Sequence, residues 1–246
     1  MIHLSVDDFF MTLKELTERE AQYDSIFRQP IFAFFRDMHE KYGAVFHCYC
    51  FGEDTEGFSL AEVTRKYREE FQQNADWLKF GFHGKNTDAV YGDNNGTRVI
   101  NRDVGQAAED YDFIMGNLVE IVGEEALDLN PRIHYFAGTK ECCRAWKAAK
   151  YGIEGLLAAD DERYSYYHNQ EQHDRLIADN VLYDADLGLT FRRTNIRLEN
   201  ETDMEQLKRK IKTFTGEFPV VFTHERYLPL EDMKQKIEAC LQESVV

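Results

Sequence analysis

The hydrophobic pattern of this chain switches repeatedly between a period of two and a helical period. Ile2, Leu4 and Val6 alternate with polar positions and predict a strand, which ends in the adjacent carboxylates Asp7 and Asp8 followed by two phenylalanines. From Ile31 to Tyr42 the apolar residues recur at helical spacing and stop at Gly43, a residue that accepts the positive φ of a helix end. AVFHCYCF, starting at Ala44, is rich in strand formers. The capping-box pattern from Ser59 to Glu62 then predicts a helix through about Ala75, and LKFGF at 78–82 predicts a further strand.

The alternation continues beyond a long stretch of turn formers without periodicity, from Asp88 to Arg102, which reads as a loop. Val104 to Val122 places Tyr111, Ile114, Met115, Leu118 and Val122 on one stripe, with Gly123 as the stop. RIHYFAG at 132–138, a helix across Cys142 to Tyr151 and the apolar run IEGLLAA at 153–159 follow. VLYDADLGLTF supplies a strand with an exposed turn, and Thr202 to Glu205 forms a second capping box for a helix ending near Gly216. PVVFTHE then runs as a strand into His224, and a last helix spans about Glu231 to Gln242.

About seven strands thus alternate with helices, and several are short unbroken apolar runs, as parallel strands covered on both faces require. The expected fold class is α/β: a distorted or incomplete (β/α) barrel of about seven parallel strands. No linker, repeat or low-complexity segment divides the chain, so one domain over residues 1–246 is expected.

Composition narrows the partners. Lys and Arg number 29 against 45 Asp and Glu, a formal charge of -16, which disfavours nucleic acid because phosphate backbones need a cationic face. A polyanionic saccharide is disfavoured too, unless a local basic pocket overrides the global field. No apolar run is long enough for a membrane helix, and the N-terminus lacks the basic and apolar regions of a signal peptide, so a cytoplasmic location is expected. The five cysteines, an odd number without a CxxC pair, argue against a disulfide framework or a structural zinc site and for packing as small apolar residues.

Ionisable residues follow the strands: Asp7 and Asp8, His83, Asp160 and Asp161, and His224 with Glu225. In a (β/α) barrel the carboxyl ends of the strands converge, so residues remote in sequence meet there. Singly, Asp160 and Asp161 read as turn or N-cap residues, and His3, His39, His47, His168 and His173 as hydrogen-bonded structural residues. Jointly, Asp7, Asp8, His83 and His224 can hold a divalent cation through a carboxylate and an imidazole. A second carboxylate is then left as general base, and a histidine as general acid.

Ser5-Val6-Asp7-Asp8, WLKFGFHGKNTD at 77–88, PRIHYFAG, AAKYGIEGLL and VVFTHE occur in an order that resembles the motifs of the polysaccharide deacetylase superfamily, carbohydrate esterases built on a distorted (β/α) barrel. The resemblance implies a divalent metal, zinc or similar, held by Asp8 and His83, with Asp7 as base and His224 protonating the leaving amine. It places Arg132 and Tyr135 along the groove, Arg132 orienting Asp7. Three departures stand out: Thr87 replaces the second metal histidine, with Asp88 beside it as a third ligand; Phe9 replaces a glycine; and His134 replaces a proline. The implied function is metal-dependent hydrolysis of an N-acyl amide bond in a sugar or related small acylated substrate. One rival is a catalytically silent barrel that binds a carbohydrate or a protein, which Thr87 favours. The other is a metal-independent glycoside hydrolase pairing Asp7 or Asp8 with Asp160 or Glu225.

Overall fold

The computed structural model describes residues 2–244. Strands β1 (His3–Phe9), β2 (Phe46–Phe51) and β3 (Leu78–Gly84) are the first three elements of a parallel sheet. Later strands β7 (Ile196–Arg197) and β8 (Val220–His224) complete it in the order β3-β2-β1-β8-β7. A second, three-stranded sheet contains β4 (Gly155–Ala158), β5 (Val181–Asp184) and β6 (Leu189–Arg193) in the order β4-β6-β5. Here β4 and β6 are parallel, while β5 and β6 form an antiparallel hairpin.

Two seams join the sheets into a partial barrel. At one, the segment 127–133 runs between β3 and β4, the Asp128 N–H donating to the Phe80 carbonyl (2.7 Å) and the Leu157 N–H to the Pro131 carbonyl (3.0 Å). At the other, the chain leaves β6 and enters β7 through Thr194 and Asn195, and the Thr194 N–H donates to the Ala158 carbonyl (3.2 Å). Seven parallel strands are not what forms: five are parallel in one sheet, and the second sheet is mixed. RIHYFAG makes no strand, because Tyr135 and Phe136 adopt φ of 59° and 56°, and two successive left-handed residues cannot continue a ladder.

Glycine permits the close approach at the first seam. A Cβ on Gly81 of β3 would sit 2.9 Å from the Asp128 carbonyl oxygen, and one on Gly155 of β4 only 2.7 Å from Asn130 Oδ1.

Helices cover the sheets. α1 (Met11–Glu18), which the periodicity does not announce, is capped from far away: Glu225 accepts the N–H groups of Phe10, Met11 and Thr12 at 2.6–2.9 Å. α2 (Pro30–Tyr42) stops at Gly43 with φ 66°. The Ser59–Glu62 capping box does form, but it heads a single 3-10 turn before α3 (Arg68–Gln73) rather than one helix to Ala75. α4 (Val104–Val122) starts from an Asp103 cap and ends at Gly123. α5 (Lys140–Ala148), α6 (Gln170–Asp179), α7 (Met204–Lys212) and α8 (Glu231–Ser244) follow, α7 capped by Asp203 rather than Thr202. The main apolar core runs from Ile2 to Leu241, with two small clusters beside it, and the five cysteines are buried and unpaired. No helix of the described residues is long and apolar enough to cross a membrane.

Candidate active site

Asp7 and Asp8 end the central strand of the parallel sheet. On a regular strand they would face opposite sides, but Asp8 adopts φ 56° and the β1–β2 register slips between Val6 and Phe9. The bulge turns both carboxylates into one cavity of about 330 Å³, which His83, Arg132, His134, Tyr135 and His224 also line.

Asp7 is buried against Arg132, which is fully buried rather than a surface charge at a strand end. Arg132 Nη1 donates to Asp7 Oδ1 at 2.7 Å and to Ser5 Oγ at 2.9 Å, and Nη2 donates to Thr194 Oγ1 at 3.0 Å. Its guanidinium lies 4.2 Å over the Phe222 ring. A buried ion pair with these additional donors fixes the direction of the carboxylate.

Beside it, Asp8 Oδ1 lies 3.2 Å from His83 Nε2 and 3.6 Å from His134 Nδ1, and the two imidazole nitrogens are 3.1 Å apart. His83 Nδ1 donates to the Arg132 carbonyl at 2.5 Å, which leaves the Nε2 lone pair facing Asp8 and His134. Asp8 Oδ1 is buried with no hydrogen-bond partner. Burial alone would raise the Asp8 carboxyl, but nearby His83 outweighs it and holds the group well below the usual carboxylate range. Burial likewise pulls His83 down, yet Asp7 and Asp8 prevail and raise it. His134, buried next to His83, is lowered to about 3.

Donors about 2.1 Å from a tetrahedral metal ion lie about 3.4 Å from one another. The triangle of 3.1, 3.2 and 3.6 Å matches that spacing, and an orphaned buried carboxylate oxygen is what such an ion satisfies. Asp88 is no part of it. It lies exposed on the loop after β3, its N–H bonded to Asn86, and His134 takes the third place instead. Thr87 is exposed as well. His134 entered the sequence reading only as a departure from the proline of a motif, and it sits in the turn where Tyr135 and Phe136 are left-handed.

His224, at the end of β8, lines the same cavity, and its Nδ1 bonds the carboxylate of Glu199. Burial alone would raise Glu199, but its bond to His224 overrides this and holds the carboxyl low. Glu199 follows the two-residue β7, and nothing in its sequence surroundings marks it.

A second cluster, His3, His47 and Asp128, has the same types of ligand. There the groups satisfy each other: Asp128 accepts from His47 Nδ1 (2.6 Å) and the Tyr49 hydroxyl (2.9 Å), which also bonds His3 Nε2 (3.1 Å). The structural reading of His3 and His47 is consistent with this network.

The pairs a glycosidase needs are engaged otherwise. Glu225 is buried as the cap of α1, and Asp160 accepts from Arg163 and Arg197 at 3.1 and 2.9 Å.

No protein-family model matches the chain, and no curated protein matches it. Among solved structures it is similar to the Xyl-CE4 domain of a multidomain xylanase from the hindgut metagenome of Trinervitermes trinervoides. The two share 11% identity over 98% of this chain and 80% of that one, with a TM-score of 0.49.

Proposed function

We propose that this chain is a metal-dependent hydrolase that cleaves the N-acyl amide bond of a sugar or a related small molecule. The observation that carries the reading is the Asp8–His83–His134 triangle, spaced as metal ligands are, beside a carboxylate and a histidine that are each held by a buried partner. A divalent cation bound there would polarise the acyl carbonyl.

The chain's own groups do the proton work. Asp7, aimed by Arg132, takes a proton from the attacking water. The water oxygen bonds to the acyl carbon, the C–N bond breaks, and His224, backed by Glu199, gives a proton to the departing nitrogen. A carboxylic acid and an amine result.

The test is zinc titration of metal-stripped protein, followed by turnover on N-acetylated sugars. One ion per chain should bind and activity should return. His134→Ala should weaken binding by more than the roughly 10- to 100-fold caused by losing an outer partner, while Asp88→Ala should leave it intact. Undiminished zinc binding by His134→Ala would overturn the ligand set.

A further inference from the structure

The cavity over the triangle is cationic although the chain is acidic. Besides buried Arg132, its walls carry Arg98, Arg163, Arg197 and Arg226, against only Asp7 and Asp8. Two of these are held in place: Asp160 accepts from Arg163 and Arg197, and Asp161 accepts from Arg163 Nε at 2.8 Å.

The other two differ. Among the described residues, neither Arg98 nor Arg226 has a carboxylate partner. The Arg98 guanidinium lies 3.8 Å over the Tyr135 ring, and that of Arg226 lies 4.9 Å over Tyr227, whose hydroxyl accepts from Arg226 Nη2 at 3.4 Å while the other Arg226 donors stay unengaged by any carboxylate of the described residues. Stacking occupies the face of a guanidinium and leaves its in-plane N–H donors for a ligand, the geometry that suits a carboxylate or a phosphate. Tyr135 also packs on His134, with ring centroids 3.9 Å apart, so Arg98 stands next to the triangle.

We propose that the acyl substrate carries an anionic group, a carboxylate, phosphate or sulfate, that Arg98 and Arg226 bind in the cavity over the triangle. This rests on the hydrolase reading above. A neighbouring cavity of about 600 Å³ shares Asp8, Thr87 and Arg226, but there Glu15, Glu18, Glu53 and Asp54 outnumber the added cation Arg19, so an anion is disfavoured on that side.

Zinc-loaded protein is compared on N-acetylglucosamine, its 6-phosphate and N-acetylglucosaminuronic acid, by turnover and, separately, by calorimetric binding of the same compounds and of inorganic phosphate. An anionic compound should bind at least about tenfold more tightly than the neutral sugar, the low end for hydrogen bonds to a charged group. Arg98→Ala with Arg226→Ala should erase that ratio, and Arg98→Lys should restore part of it. The phosphate and uronate arms tell the two anions apart. Deacetylation without any anionic preference, or a preference untouched by both substitutions, overturns the anion site while leaving the hydrolase reading in place. Anion binding lost in Arg98→Ala, with no deacetylation of any compound, keeps the anion site and overturns the hydrolase. Neither binding nor turnover overturns both.

Discussion

At the scale of single residues, one backbone angle does most to make the site. Asp8 in the left-handed region brings a second carboxylate to the face where Asp7 already lies, and such strained positions persist where the surroundings hold them. Asp7→Asn should keep zinc and lose turnover, whereas Glu199→Gln should lower kcat with little change in KM, since Glu199 acts through His224. Single-turnover and steady-state rates on an N-acetylated sugar check both. The two histidines of the triangle titrate apart. His134, near 3, is already neutral, but His83 is raised and holds a proton in the metal-free protein below its folded value. A zinc ion bound as proposed would displace that proton, so affinity should fall as pH drops below the His83 value. Calorimetry in buffers of different ionisation enthalpy reads the proton release directly. A proton release that does not grow as pH is lowered would contradict the assignment.

At the scale of elements, the irregular segment 127–133 fills the gap between β3 and β4, and it is held by two glycines and a buried network. Gly155→Ala would press a methyl against the Thr190 and Asn130 oxygens at 2.4 and 2.7 Å, and should cost about 1–3 kcal/mol in denaturant unfolding, as overpacking does. Asp128 anchors the same segment to β2. Burial would raise its carboxyl, but His47 outweighs that and holds it well below 3.8. A depressed carboxyl stabilises fully above its unfolded value and loses that contribution as pH falls toward the folded one. Thermal melts should therefore weaken below about pH 4 in the native chain, and Asp128→Asn should be less stable at neutral pH but flatter through that window.

At the scale of the whole molecule, the formal charge of -16 and the arginine-lined cavity oppose each other. The acidic surface slows an approaching anion, and the cavity attracts it only at short range, within a screening length of about 10 Å at 0.1 M salt. The continuous core from Ile2 to Leu241 joins both sheets, so calorimetry should show one cooperative unfolding transition rather than two. Two separable transitions would mean that the sheets belong to independent units.

The sequence by itself determined the local elements whose signals lie within a few residues: the strand into Asp7, the helix stopped at Gly43, the long helix from Val104 to Val122 and the strand into His224. Periodicity and end residues act over one or two turns, which is why these are legible. It also singled out Asp8 and His83, and the fold brings them within 3.2 Å. Tertiary structure alone decided the rest. The cap of α1 comes from Glu225, more than two hundred residues away; Glu199 meets His224 through the short β7; and His134 meets Asp8 and His83 across more than fifty residues of chain. None of these has a local signature, since each exists only where segments distant along the chain are packed together and buried polar groups must find a partner in space.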